Sequence, residues 1–237
     1  MVNPNMRIPR QDDLLYIMKG EVLMKKKAPQ CAKCTVFRCR TKEKGKKVPT
    51  FCPTENYSEL IRESIEKSKL PENLAINLAW RQMMDNLDGP ANSRDKYSWT
   101  RVDQIMEFAR IRGMNKIGIA TCIGLIREAK LLSDILEQND FEVISVSCMC
   151  GEVNPEDVEI SGQVFCNPII QAEVLNRERT ELNIMLGLCL GHDILFLRHC
   201  KAETTPLVVK DHALGHNPIA ALYMSQGRYK DRFIRNK

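Results

Sequence analysis

The sequence predicts an α/β protein: a Rossmann-like parallel sheet of about four strands, preceded by an N-terminal four-cysteine metal-binding module and a helical segment. Three observations predict it. From residue 115 onward, short apolar runs alternate with segments of helical periodicity, the pattern of βαβ units. Those runs are apolar throughout, as in strands covered on both faces. Residues 29–53, by contrast, hold four cysteines among Gly45, Pro49 and Pro53 with few apolar neighbours. The expected division is 1–54 for the arm and cysteine module, 55–113 for the helical segment and 114–237 for the Rossmann-like domain.

Within residues 1–28, Leu14, Leu15, Met18 and Val22 recur at helical spacing, so a short helix is expected before Lys25, Lys26 and Lys27. Residues 29–53 read as loop. Tyr57 to about Lys67 reads as a helix with Leu60, Ile61 and Ile65 on one face. Pro71 opens the next, whose apolar face carries Leu74, Ile76, Leu78, Ala79, Trp80 and Met83 before Gly89 and Pro90 end it. Thr100 is an N-cap with Asp103 completing a capping box, and Gly113 closes that helix. Lys116–Thr121 is the first strand. Gly124 to Gln138 is amphipathic, with Leu125, Ile126, Leu131, Leu132 and Ile135 expected inward. Phe141 to Val146 is the second strand. Asn167 caps a helix from Pro168 to about Arg177. Asn183 to Leu188, the helix His192 to His199, the strand Pro206 to Val209 and the helix Pro218 to Ser225 follow, with a frayed basic tail from Arg228. Right-handed crossovers favour the order 2-1-3-4, with its switch point between the first and third strands.

Composition narrows the function. Hydrophobic residues are 43% and charged residues 27%, a globular balance, and the longest apolar runs fall far short of the roughly 20 residues that span a bilayer. Asp12 and Asp13 stand where a signal peptide would be apolar, so a cytoplasmic protein is expected. Ten cysteines in such a chain point to metal or redox chemistry rather than to a disulfide framework. No phosphate-binding loop, HExxH, GxSxG or dinucleotide fingerprint occurs.

The first constellation is Cys31-x2-Cys34-x4-Cys39-x12-Cys52. A CxxC turn lets two sulfurs grip one ion, and two further thiolates close a tetrahedral site. The flanking Lys33, Arg38, Arg40, Lys42, Lys44, Lys46 and Lys47 offset the negative charge of four thiolates. Zinc and a [4Fe-4S] cluster both suit this set.

The second constellation emerges once the strands are placed. Cys122 follows the first strand, Cys148 and Cys150 the second, Cys189 the third, and Cys166 precedes the helix at Pro168. All fall at the carboxyl edge of the sheet, where open α/β proteins bind ligands and helix N-termini favour anions. Cys122, Cys166 and Cys189, with Cys148 or Cys150, are therefore candidate ligands of a [4Fe-4S] cluster; three thiolates would leave one iron open. Cys200 lies at the far end of a helix and is expected to be structural.

Two glycine turns, Gly187-Leu-Cys-Leu-Gly-His-Asp193 and Lys210-Asp-His-Ala-Leu-Gly-His-Asn-Pro218, bring His192, Asp193, Lys210, Asp211, His212, His216 and Asn217 to the same edge. His192 and His216 are candidates for proton transfer or for hydrogen bonding to a cluster, Lys210 for neutralising an anionic substrate, and Asp193 for a catalytic role. Asp193 and Asn217 also suit helix N-caps.

Those two stretches, with Cys122-Ile-Gly and Cys166-Asn-Pro behind a cysteine-rich head, resemble an uncharacterised prokaryotic family described as metal-binding. The resemblance implies metal binding and no particular activity. The layout of Cys122, Cys166 and Cys189 is also similar to that of thiouracil desulfidases, whose three cysteines on a Rossmann-like domain hold a cubane with one open iron.

Three readings follow. In the first, a metalloenzyme of the desulfidase, lyase-like or redox kind acts on a small sulfur-containing or anionic substrate. In the second, both cysteine groups serve electron transfer or metal sensing with a redox partner protein, without catalysis. In the third, the head is a zinc module that binds nucleic acid, which the scarcity of aromatics there disfavours. No membrane partner is expected, and a second copy of the chain is kept among the candidate partners.

Overall fold

The computed structural model describes residues 28–43, 45–88, 99–162 and 165–234. The helix expected around Leu14 to Val22 lies outside them. The chain forms two compact units, residues 1–73 and 74–237.

In the first unit the cysteine segment is less irregular than its composition suggests. A 3-10 turn covers Cys31–Lys33, and short helices α1 (Arg38–Thr41) and α2 (Pro53–Asn56) follow. Pro53 opens α2 because a first helical position needs no N–H. Helix α3 (Ser58–Ser68) has the expected apolar stripe, yet Leu60, Ile61 and Ile65 all remain exposed.

Helix α4 (Pro71–Asp88) leads into the second unit, where, among its described side chains, Ala79 and Met83 are the buried ones. Helix α5 (Arg101–Ile111) starts on the predicted capping box: the Thr100 hydroxyl accepts from the Asp103 N–H, and the Asp103 carboxylate accepts from the Thr100 N–H at 2.7 Å. Gly113, at φ +67°, takes the left-handed turn that ends it. The sheet then forms from β1 (Lys116–Thr121), β2 (Glu142–Ser147), β3 (Leu182–Leu186) and β4 (Glu203–Val208), all parallel in the order β2-β1-β3-β4. This is the predicted order, with the switch point between β1 and β3.

Helix α6 (Ile126–Glu137) lies between β1 and β2, α7 (Pro168–Arg177) between β2 and β3, and α8 (Leu190–His199) between β3 and β4. One sheet face packs Ile117, Ile119, Ile184 and Leu186 against α5 and α6. The other packs Ala120, Val146 and Met185 against Ala172, Leu175 and Phe196 of α7 and α8. Helix α6 turns a different stripe inward from the one expected. A 3-10 turn at Ile123–Leu125 precedes it, and Leu125, Ala129, Leu132 and Leu136 are buried while Ile126, Leu131 and Ile135 are exposed.

The C-terminal elements are shorter than expected. Helix α9 covers only Ile219–Tyr223 and is preceded by Pro218, so Asn217 is not its N-cap. The tail contains a further turn of helix, α10 (Lys230–Phe233), instead of fraying from Arg228. Among the described residues no helix is long and apolar enough to cross a membrane.

Candidate functional site

Parallel strands end together, so whatever follows each one meets at a common edge. Cys122 directly follows β1 and is pinned there: its N–H donates to the Leu186 carbonyl of β3 at 3.3 Å. Cys148 directly follows β2, and its N–H donates to the Thr121 carbonyl of β1 at 2.9 Å. The Cys148 carbonyl in turn accepts from the Asn167 N–H at 2.8 Å, which fastens the start of α7, and Cys166 beside it, to the end of β2. Asn167 is the N-cap predicted, accepting from the Ile170 N–H at 3.1 Å.

After β3 the chain turns at Gly187, at φ +68°, with its N–H on the Val208 carbonyl at 2.8 Å. A Cβ at this position would lie 2.1 Å from Leu125 Cδ1, so both conformation and space require glycine. The turn starts α8 at Leu190, two residues earlier than expected. Cys189 is consequently the N-cap, and its carbonyl accepts from the His192 and Asp193 N–H groups. Asp193 therefore sits in the first turn of α8 and is not its cap.

Lys210, just after β4, joins these ends. Its Nζ donates to Cys122 Sγ at 2.8 Å and to Cys189 Sγ at 3.4 Å. Cys148 is electrostatically linked to Cys122 and to Cys166, each of which bears on its protonation. Lys210 thus joins Cys122 and Cys189 directly, and Cys148, and through it Cys166, is electrostatically linked to that pair at the same edge. Two backbone donors reach the sulfurs: Gly124 N–H to Cys122 at 3.4 Å, and Ile123 N–H to Cys148 at 3.3 Å.

Electrostatics separates the thiols. Burial raises Cys122, but the Lys210 ammonium, the Gly124 N–H and the Cys148 thiol together outweigh it and hold Cys122 below the ordinary thiol range. For Cys148, burial dominates; although the Ile123 N–H opposes it, Cys166 and Cys122 add to the rise, and the thiol is pushed up to about 12. Lys210 is held above the usual lysine range by its bond to Cys122. His192 is lowered by burial and by the Lys210 charge, and burial raises Asp193.

The remaining predicted residues are placed differently. Cys150 packs on the apolar cluster around Val146 and Phe196. His216, itself at φ +62°, accepts the Asp211 N–H at Nδ1 from 3.1 Å, so its proton is on Nε2. Asp211 caps the 3-10 turn His212–Leu214, and the His212 and His216 rings stand 5.8 Å apart. Cys200 lies at the opposite end of α8, with Sγ 3.2 Å from Thr204 Oγ1.

One residue escaped the sequence reading. Gln171, in the first turn of α7, is fully buried, and its Nε2 donates to the Thr121 carbonyl of β1 at 3.0 Å and the Val146 carbonyl of β2 at 2.7 Å. It clamps the two strands just before Cys122 and Cys148, and its Oε1 is buried with no partner. The available signal was a long polar side chain one helical turn before the buried Leu175.

The N-terminal cysteines form their own group. Cys31, Cys34, Cys39 and Cys52 line a single cavity of about 180 Å³. At neither place do three cysteine, histidine, aspartate or glutamate side chains, among the described residues, stand close enough around one point to hold a metal ion as arranged. At the sheet edge the Lys210 ammonium lies against two of the sulfurs. The donor set there nonetheless suits a soft metal or an iron–sulfur cluster: several thiols, backbone N–H groups aimed at sulfur, and an orphaned buried oxygen alongside.

Residues 52–207 match the model of a family described as "Protein of unknown function (DUF1847)". An uncharacterized protein of Methanocaldococcus jannaschii is 38% identical over 204 residues, covering 82% of this chain and 93% of the relative. No solved structure matches.

Proposed function

The chain belongs to the DUF1847 family of unknown function, and from the geometry of its sheet edge we propose that it is an iron–sulfur protein acting on a small sulfur-containing or anionic substrate. The reading is supported by one observation above the others: Cys122 and Cys189, far apart in the chain, share the Lys210 ammonium at the strand ends, with Cys148, and through it Cys166, electrostatically linked to Cys122. Cys122, Cys166 and Cys189 would hold the cluster. When bound, it would offer an open iron as a Lewis acid for a soft atom of the substrate.

The chain's own groups have distinct parts in this reading. Lys210 neutralises thiolate charge and draws an anion to the strand ends. His192, kept neutral by burial and by Lys210, can accept a proton at neutral pH. Asp193, raised by burial, lies beside it in the first turn of α8. The His216 Nε2–H remains available as a donor. Gly124 and Ile123 supply N–H groups that stabilise sulfur-centred charge, and Gln171 fixes the separation of the β1 and β2 ends.

Purification of the full chain without oxygen, followed by iron, acid-labile sulfide and zinc analysis, tests the reading. Wild type should carry iron and sulfide with the broad absorption of thiolate-bound iron. Cys189→Ala should lose most of both. Wild type that carries neither, even after reconstitution, overturns it.

A second reading has its own observation: Cys148 completes a set of four thiols, which suits a closed electron-transfer or sensing cluster. A spectrum unmoved by small thio-compounds would favour it; one that shifts would favour an open iron.

A further inference from the structure

We propose that Cys31, Cys34, Cys39 and Cys52 form a structural zinc site whose ion takes the place of the hydrophobic core that the surrounding residues lack. The inference does not rest on the sheet-edge reading. It begins from what holds residues 28–56 in shape. None of the described residues in that span is buried. Of its two phenylalanines, Phe37 is 53% exposed and Phe51 is only half-buried. A chain segment of this size without an apolar interior does not stabilise a fixed fold by burial, and small modules of this kind use disulfides or a metal instead. All four cysteines here are free thiols.

The backbone is nevertheless bent in ways that need support. Phe37 sits at φ +50° and Lys42 at φ +58°, on either side of α1, which carries Cys39. A left-handed conformation at a bulky residue such as Phe37 costs free energy of its own and persists only where the surroundings impose it. Side-chain ties among the described residues here include Arg38 with Glu55, Lys46 with Glu43, and Asn56 Nδ2 donating to the Thr50 carbonyl at 2.8 Å. Exposed ion pairs contribute little. The bends place the four thiols around a shared cavity, from which closing on an ion would draw them together. They bring a 3-10 turn (Cys31 and the adjoining Cys34), α1 (Cys39) and the N-cap of α2 (Cys52) around one cavity of about 180 Å³.

The chemistry of the four donors selects the ion. Cys31 and Cys34 share one tight turn, closed by the Cys34 N–H on the Cys31 carbonyl at 3.0 Å, which is how a CxxC pair grips a single cation. Cys31 and Cys39 are exposed to water, an environment a redox-inert d10 ion tolerates better than a cluster does. Binding would release the thiol protons and leave a centre of net charge −2, four thiolates around a divalent cation. Lys33, Arg40, Lys46 and Lys47 lie among the four cysteines in the sequence and bring positive charge to the segment. Four protein ligands leave no open position, so the site holds structure and performs no chemistry.

The test uses the full chain carrying Cys122→Ala and Cys189→Ala, so that metal at the sheet edge does not interfere. This protein should retain about one zinc per chain, as a four-thiolate site does. Adding Cys39→Ser or Cys34→Ser should remove it. Cobalt in place of zinc should show tetrahedral thiolate bands, and proteolysis within residues 28–56 should become fast when zinc is withdrawn. Trp80 and Trp99, the two tryptophans of the chain, both lie in the second unit, so their fluorescence reports whether that unit stays folded. Iron and sulfide in the Cys122→Ala/Cys189→Ala protein would overturn the proposal. So would zinc that survives Cys39→Ser and Cys34→Ser, or proteolysis of residues 28–56 that is indifferent to zinc.

Discussion

The two groups of cysteines are held in opposite ways. At the sheet edge each sulfur is positioned by structure that exists without it: a strand end, a ladder hydrogen bond, a helix cap and a buried side chain. In the head, over residues 28–56, none of the described residues around the cysteines is buried. The contrast separates two uses of thiols. A preorganised site can discriminate between protonation states, as Cys122 and Cys148 do. A site without a scaffold has to be organised by what it binds. The largest expected effect follows: Cys122→Ala should abolish iron at the sheet edge and leave zinc in the head, and Cys39→Ser should do the reverse. Metal analysis of the two proteins side by side checks this, and coupled losses would break the distinction.

How much of this was legible in the sequence depends on how local the cause is. Element boundaries at Thr100, Gly113, Pro168 and Asn167 are set by caps and ring constraints, and the structure places them as read. The strand order followed from continuous apolar runs and crossover handedness. The inward stripe of α6 did not, because the helix carries two apolar stripes and only the sheet decides between them. The start of α8 was read two residues late, at His192, because the left-handed turn at Gly187 lets the helix begin at Leu190 with Cys189 as its N-cap. Lys210 was read as a partner for substrate; its contact with two sulfurs depends on four strands ending in register, which no local pattern encodes.

In metal-free protein the split between Cys122 and Cys148 should be visible as reactivity. Cys122 is held below the ordinary thiol range, so its thiolate is present at lower pH than usual, while Cys148 is pushed up to about 12 and remains a thiol through neutral pH. Iodoacetamide at neutral pH should modify Cys122 faster than Cys148 by on the order of thirtyfold, after allowing for the lower nucleophilicity of a more acidic thiol. Lys210→Met should move the onset of Cys122 modification to higher pH. Peptide mass spectrometry measures both, and equal rates would remove the idea that the sheet edge is preorganised.

Stability should show the same asymmetry. Gly187→Ala forces a side chain into the left-handed region with its Cβ 2.1 Å from Leu125, and should cost about 3 kcal/mol in denaturant unfolding followed by tryptophan fluorescence. Gln171→Leu loses two buried hydrogen bonds but also removes the orphaned oxygen, and should cost about 1–2 kcal/mol. Gln171→Glu should be worse than Leu, since it directs a buried carboxylate at two carbonyls. A Glu variant as stable as wild type would remove Gln171 as a clamp.

The smallest effect concerns the cap of α5. Thr100→Ala removes the hydroxyl that accepts the Asp103 N–H, and a lost N-cap costs about 1 kcal/mol. The same box gives a pH signature. Bonds from the Thr100 hydroxyl and N–H lower Asp103, so its contribution is complete above the unfolded carboxylate value, near pH 4, and fades as pH falls through the lower folded value. In Thr100→Ala that acid-side loss should shrink, because less of it remains to be titrated. Cap, helix and sheet all belong to the second unit. Zinc release from the head should therefore be the same in Thr100→Ala as in wild type, at every pH where the second unit stays folded. A head that loses its metal in step with this small change would mean that its thiols draw on the α/β unit for their order, and that the two cysteine groups are one system.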